Sequence, residues 1–178
     1  EAEAKLQRQA FYDSLTDLPN RDLLEAYFPK ILAQAQRQNT QVAIAFLDLD
    51  HFKAINDTFG HRVGDGVLQQ VGQRLQGCLR TEDLLVRWGG DEFIIVMAFV
   101  DSLHDAQRMC DRLIASLTSV FTVNHHSLHI STSIGMTLYP DHGQDPETLL
   151  RQADQALYQA KNQGRNTYCF YSTDAPCG

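Results

Sequence analysis

The acidic residues best suited to chemistry lie in two distant stretches of the sequence. Asp48 ends the apolar run "QVAIAFLDL" with its neighbour Leu49, whereas Asp91 and Glu92 follow two glycines in "VRWGGDEF". If the flanking strands are neighbours, these carboxylates converge at one sheet edge, where they repel one another unless a cation lies between them. Mg²⁺ takes one or two carboxylates and leaves its other positions to water and substrate phosphates. The pattern therefore predicts a metal site facing a polyphosphate; the alternative is a solvated turn.

Strand-like segments position these acids. Residues 41–50 are almost continuously apolar, which predicts a central strand buried on both faces. "DLLVRW" and "DEFIIVMAFV" predict a hairpin in which Gly89-Gly90 forms a two-residue turn with positive φ. Residues 121–139 predict two strands around a polar turn, and 165–171 predict a last strand.

Amphipathic segments predict helices between the strands, over residues 1–12, 21–38, 51–60, 61–80, 101–117 and 146–164. The second of these is predicted to have Leu23, Leu24, Tyr27, Ile31 and Leu32 along one face. Pro29 predicts a kink or an early end there, and Asp50 is predicted to cap the helix that follows it. The order of elements predicts an α/β sandwich with a largely antiparallel sheet.

Composition limits the class of protein. The 178 residues are 43% hydrophobic and 21% charged, which is typical of one globular domain. No apolar run approaches the roughly 20 residues of a membrane span, and the absence of a starting Met leads us to expect a piece of a longer chain. The net charge of −7 argues against a nucleic-acid partner, although it allows a phosphate ligand held through metal ions.

Four separated blocks carry a family resemblance: "DSLTDLPNR", "DLDHFKAINDTFGHRVGD", "RWGGDEF", and "SIGMTLYP" with "ADQALYQAKNQGRN". Together they resemble the GGDEF-domain diguanylate cyclases from about Asp13 to Tyr171. The resemblance implies that residues 13–173 are the GGDEF domain, that 1–12 end an upstream connector helix, and that 174–178 are a tail. It also implies a sheet similar to that of adenylyl cyclase and polymerase palm domains.

The resemblance implies a reaction in which two GTP molecules condense to cyclic di-GMP and release two pyrophosphates. Each domain of an antiparallel homodimer would hold one GTP. By resemblance, Asp48, the Leu49 carbonyl, Asp91 and Glu92 would bind Mg²⁺ or Mn²⁺, two ions per site. Asp91 would also help to deprotonate the attacking hydroxyl, and Lys53 would stabilise the transition state.

Further residues resemble the family's substrate contacts. Asn56 and Asp65 resemble the guanine-binding residues, with His61 as another contact, and the alternative for the first two is helix capping. Gly89 and Gly90 would let the nucleotide approach the backbone closely. Lys161 and Arg165 resemble cations that neutralise the triphosphate, the alternative being a solvated helix end.

A second site is implied by "RTED", an RxxD sequence shortly before the signature. Many family members bind their product at this spacing and are inhibited by it, so Arg80 and Asp83 would bind cyclic di-GMP. Arg112, on the following helix, lies where the family's second inhibitory Arg comes from a neighbouring domain. The alternative is an ordinary ion pair at a helix end, which contributes little.

Three functions remain open from the sequence. An active cyclase is favoured because the signature acids are intact; a catalytically silent module that binds GTP or cyclic di-GMP is the alternative, and a cyclase making a 3′,5′-cyclic mononucleotide rests on shared fold alone. We expect a cytoplasmic domain, free or attached to a membrane anchor. An upstream sensor on the same chain is expected, with or without a downstream phosphodiesterase domain.

Overall fold

A computed structural model of the chain describes residues 1–172, so the predicted tail at 174–178 lies outside the described residues. Within the described range there are six helices and seven strands. In chain order they are α1 (Ala2–Phe11), α2 (Arg21–Gln38), β1 (Gln41–Leu49), α3 (Phe52–Phe59), α4 (His61–Cys78), β2 (Leu84–Gly89), β3 (Glu92–Val100), α5 (Leu103–Thr118), β4 (Phe121–Val123), β5 (His126–Leu128), β6 (Thr132–Tyr139), α6 (Pro146–Asn162) and β7 (Tyr168–Phe170).

The central sheet has five strands in the order β2-β3-β1-β6-β7. β1 lies in the middle and pairs antiparallel with both β3 and β6, and β2 pairs antiparallel with β3. Only the short β7 runs parallel to its neighbour β6 within this sheet. The predicted α/β architecture with a mostly antiparallel sheet is therefore confirmed.

Helices cover both faces of the sheet, and alternate residues of β1 face opposite layers. Ala43, Ala45 and Leu47 belong to the core formed with α4 and α5. Ile44 and Phe46 belong to the core formed with α2 and α6. Every residue of β1 after Gln41 is buried, as predicted for a central strand. Asp48 continues the second series, so its side chain lies on the same face as α6.

Helix α2 departs from the sequence prediction in two ways. It continues unbroken through Pro29 to Gln38, because Pro29 and Glu25 are exposed and solvent can reach the carbonyl that the missing N–H leaves unpaired. Its buried face contains Phe28, whereas Tyr27 is 51% exposed. The prediction of Tyr27 as a core residue was therefore wrong by one position.

The signature hairpin turns one residue later than predicted. Gly89 pairs with Glu92 at the end of the ladder, so Gly90 and Asp91 form the two-residue turn. Gly90 has a φ of +48°, whereas Gly89 remains in β2. Asp91 therefore belongs to the turn itself, and the ladder irregularity between Arg87 and Gly89 accounts for the shifted register.

The region 121–139 contains three strands, one more than predicted. β4 and β5 form a separate two-stranded sheet joined at Asn124 and His125, whose φ values of +48° and +69° suit a tight hairpin turn. Only β6 joins the central sheet. The polar turn predicted in this region is therefore found at Asn124 and His125. The strand that the sequence did not predict is the three-residue β5, in which only Leu128 is buried.

Candidate active site

The predicted acids meet at one end of the central strands. β1 and β3 run antiparallel with Asp48 directly opposite Glu92, so both side chains lie on the same face. The backbone N–H of Leu49 donates to the Asp91 carbonyl over 3.2 Å. Strand pairing thus brings together residues more than forty positions apart in the chain.

Lys161 completes this cluster from helix α6. Its Nζ donates to Asp48 Oδ2 and forms an ion pair with it. Asp48 is 9% exposed, and its other oxygen, Oδ1, is buried with no hydrogen-bond partner among residues 1–172. A buried carboxylate oxygen without a donor is costly, so this atom is suited to a further cation.

Negative charge is in excess at this end of the sheet. Burial and the neighbouring Asp48 carboxylate raise the pKa of Asp91 to about 6. Burial, Asp48 and Asp154 also raise the pKa of Glu92, an effect that Lys161 partly offsets. Desolvation and like charge both disfavour the ionised forms, so the site favours the binding of additional positive charge.

Because the pKa of Asp91 is raised, we expect the free energy of unfolding of the metal-free protein, measured in EDTA, to depend on pH. The ordinary pKa is 3.8 and the folded value is about 6, so the folded state binds this proton more tightly. The resulting stabilisation is fully present below pH 3.8 and is lost as the pH rises through 6. We therefore expect Asp91→Asn to be more stable than wild type at pH 7.5 by about 1 kcal/mol, after allowing for solvent screening of a half-buried group.

Urea unfolding of both proteins between pH 4.5 and 7.5 measures this difference. The difference in free energy of unfolding between the two proteins should decrease as the pH falls below 6 towards 3.8. A constant difference across this pH range would show that the pKa of Asp91 is not raised in the folded protein.

The residues present fit a divalent ion of the magnesium type. Within residues 1–172 no group of three or more His, Cys, Asp or Glu side chains is arranged around one metal position. Mg²⁺ needs only one or two carboxylates when water and phosphate supply its other ligands. Asp48 and Asp91 provide two carboxylates, and the unpartnered Asp48 Oδ1 is available.

The predicted guanine contacts lie on α3 and α4. Asn56 is on α3, while His61 and Asp65 are exposed in the first turns of α4, and Lys53 is exposed at the start of α3. Gly64, which sequence reasoning missed, positions Asn56: a Cβ at Gly64 would lie 1.9 Å from Asn56 Oδ1. The absent side chain lets the carboxamide lie against α4.

The glycine turn is held by a pair of residues that the sequence did not single out. Arg87 donates to the Gly90 carbonyl at 2.8 and 3.2 Å and forms an ion pair with Asp13 at 3.0 Å. Gly89 and Gly90 have open space where a Cβ would lie. Because Asp13 is 74 positions from Arg87, no local pattern could have indicated the contact.

Arg165 and the predicted product-site residues lie outside this cluster. Arg165 is exposed in the turn after α6. Arg80 and Asp83 border a small cleft with Asp105, and the Asp83 carboxylate accepts from the Arg80 backbone N–H at 2.9 Å. Arg112 instead donates to the Cys78 carbonyl at 3.0 Å, at the end of α4.

Comparison with known families matches residues 10–167 to the model described as diguanylate cyclase, GGDEF domain. The chain is 43% identical to diguanylate cyclase TpbB of Pseudomonas aeruginosa, covering 92% of this chain and 38% of TpbB. It is 40% identical to the bifunctional diguanylate cyclase/cyclic di-GMP phosphodiesterase MucR of the same species, covering 97% of this chain and 25% of MucR. It therefore spans well under half the length of these curated relatives.

Solved structures agree with the sequence relatives. The GGDEF domain of TpbB superposes with a TM-score of 0.88 at 41% identity, covering 90% of this chain and 94% of that one. The coiled-coil and GGDEF domain of DgcB from Caulobacter crescentus, solved with cyclic di-GMP, gives 0.85 at 25% identity, covering 93% and 87%. No helix in residues 1–172 is long and apolar enough to cross a membrane.

Proposed function

The chain belongs to the GGDEF domain family of diguanylate cyclases, and from this premise we propose that it condenses two GTP molecules into cyclic di-GMP with release of two pyrophosphates. The observation that carries the proposal is the meeting of Asp48 and the Asp91 turn beside Lys161. Each copy holds one GTP, so two copies of the domain face each other during the reaction.

Asp48, the Leu49 carbonyl, Asp91 and Glu92 would hold Mg²⁺ or Mn²⁺, with two ions per site. When bound, these ions supply charge that stabilises the attacking and leaving oxygens. The need for such charge is supported by the raised pKa values of Asp91 and Glu92.

Side chains of the protein bind the triphosphate and accept the proton of the attacking hydroxyl. Lys53, Lys161 and Arg165 bind the triphosphate and neutralise charge that develops during transfer. Asp91 accepts the proton from the 3′-hydroxyl of the attacking GTP, a role for which its carboxylate must be ionised. Bound cations favour that ionised form, since they offset the repulsion from Asp48 that raises the pKa of Asp91 in the free protein.

The base is bound by residues of α3 and α4. Asn56 and Asp65 bind the guanine edge. A carboxylate accepts hydrogen bonds from guanine N–H groups, and an amide can both donate to guanine acceptors and accept from guanine donors. His61 is a further contact. Gly89 and Gly90 leave space for the nucleotide beside the hairpin turn.

Incubation with Mg²⁺ and GTP, followed by separation of the products, tests this function. Cyclic di-GMP supports it. Retained GTP binding without product would identify a silent binding module, and cyclic GMP would identify a mononucleotide cyclase; either result would contradict the proposal.

We expect product inhibition through Arg80 and Asp83, with Arg112 as a further contact. Arg80→Ala should raise the cyclic di-GMP concentration that halves the rate by about tenfold or more, because a charge-assisted hydrogen bond contributes about 1.5–3 kcal/mol. The rate without product should not change. The measurement is initial rate against added cyclic di-GMP.

Arg108→Ala is the matched control, because Arg108 is also an exposed arginine and lies on α5. Its inhibition curve should match wild type. If Arg80→Ala gives that same curve, the product site lies elsewhere.

The whole protein's organisation follows from the same proposal. We expect the domain, with boundaries at 13–173, to act in the cytoplasm, where GTP is available. A sensor upstream on the chain would control the association of two copies, and a phosphodiesterase domain would follow in proteins built like MucR.

A further inference from the structure

Asp50 has a role that differs from the helix cap predicted for it. Helix α3 begins after His51 and receives no side-chain cap. Asp50 is 6% exposed, and its carboxylate accepts hydrogen bonds from Ser131 Oγ at 2.5 Å, Ser133 Oγ at 2.7 Å and the Asn166 backbone N–H at 3.0 Å. No ion pair involves this carboxylate within residues 1–172.

The contact with Asn166 fixes a strained turn. Arg165 and Asn166 have φ values of +64° and +49°, a region that is uncommon for non-glycine residues and less favourable for arginine than for asparagine. The Arg165 N–H donates to the Ala160 carbonyl at 3.2 Å, and the Thr167 carbonyl accepts from the Ile134 N–H at 3.0 Å. Asp50 supplies the anchor at the residue between them.

Asp50 is also fixed at the end of β1, the strand that carries Asp48. Asp50 follows Asp48 and Leu49 in the chain, and its backbone N–H donates to the Ser131 carbonyl at 2.9 Å. Asp50 therefore links the end of β1 to a turn that lies 116 positions further along the chain.

We propose that Asp50 is a positioning residue for GTP, which acts by holding the Arg165 turn in the conformation that binds the β- and γ-phosphates. The inference rests on the phosphate role proposed for Arg165. Ordering a backbone segment costs conformational entropy, so a turn already fixed relative to β1 lowers the cost of engaging the phosphates through Arg165.

Titration calorimetry with Mg²⁺ and two ligands, a non-hydrolysable GTP analogue and GMP, tests the inference. Asp50→Ala should weaken binding of the analogue about tenfold and change binding of GMP by less than twofold. Asp50→Asn should bind both nearly as wild type does, because its amide oxygen can still accept from Asn166 while its NH₂ donates to the Ser133 hydroxyl.

Ser133→Ala is the matched control. It removes a bond to the other oxygen of the same carboxylate and leaves the Asn166 contact intact, so analogue binding should stay within twofold of wild type. If Asp50→Ala does not fold, Asp50→Ser provides the same test, because its shorter side chain cannot reach the Asn166 amide.

The double variant with Arg165→Ala identifies the route of the effect. If Asp50 acts through Arg165, adding Asp50→Ala to Arg165→Ala should cause no further loss of analogue binding. Equal weakening of GMP and analogue, or additive losses, would overturn the inference and indicate a general structural role.

Arg165→Ala alone separates this inference from the proposed function. If it weakens analogue binding whereas Asp50→Ala does not, only the role of Asp50 is wrong. If Arg165→Ala leaves analogue binding unchanged, the phosphate role of Arg165 and the inference are both wrong.

Discussion

Replacing Asp91 by Asn should lower cyclic di-GMP synthesis by about 10³-fold or more, because the variant loses both a metal ligand and the proposed base. The fold should survive, since Asp91 lies in a hairpin turn and its ionised form is unfavourable in the free protein. Product formation at saturating GTP and Mg²⁺, with a circular dichroism spectrum of each protein, measures both expectations.

Asp57→Asn is the control for this change. Asp57 is an exposed acid on α3, and its replacement removes the same charge from the protein. It should retain wild-type turnover. Near-normal turnover of Asp91→Asn would remove Asp91 from the mechanism, and loss of its folded spectrum would assign it a structural role.

Gly135→Ala should be the most destabilising small substitution in the sheet, at a cost of about 3 kcal/mol. Gly135 lies on β6, where a Cβ would be 2.1 Å from the Ala153 carbonyl oxygen and 2.2 Å from the Leu157 backbone N. Both are backbone atoms of α6, so relief requires the whole helix to move. Because α6 also carries Lys161, turnover should fall together with the free energy of unfolding.

Gly77→Ala is the matched control, and urea unfolding compares the two variants. A Cβ at Gly77 meets no atom within 4 Å, and the residue lies in α4. Alanine there should leave turnover unchanged and stabilise the protein by up to about 1 kcal/mol. If Gly135→Ala unfolds at the wild-type urea concentration, α6 does not lie this close to β6.

Strand patterning explains why the main cluster was predictable from the sequence. β1 is continuously apolar and ends in acids, and the β2–β3 hairpin carries acids at its turn and at the start of β3. Asp48 and Asp91 therefore meet if β1 and β3 are neighbours, and antiparallel pairing makes them neighbours. The contact between Lys161 and Asp48 arises because α6 packs on the face of the sheet to which Asp48 points.

Other features depend on contacts that no local pattern encodes. The Asp50–Asn166 bond and the Asp13–Arg87 ion pair join residues 116 and 74 positions apart. The close approach of α6 to Gly135 likewise depends on helix–sheet packing. Asp50 was misassigned because an acid before a helix normally caps it, whereas here burial and three donors hold it against β6.

A crystal structure with Mn²⁺ and a non-hydrolysable GTP analogue tests the central claim most directly, because the anomalous scattering of Mn²⁺ locates the metal directly. We predict Mn²⁺ at about 2.0–2.3 Å from carboxylate oxygens of Asp48 and Asp91, with the triphosphate on the opposite side of the ion. Anomalous peaks away from both acids, or a nucleotide bound elsewhere on the domain, would contradict the account.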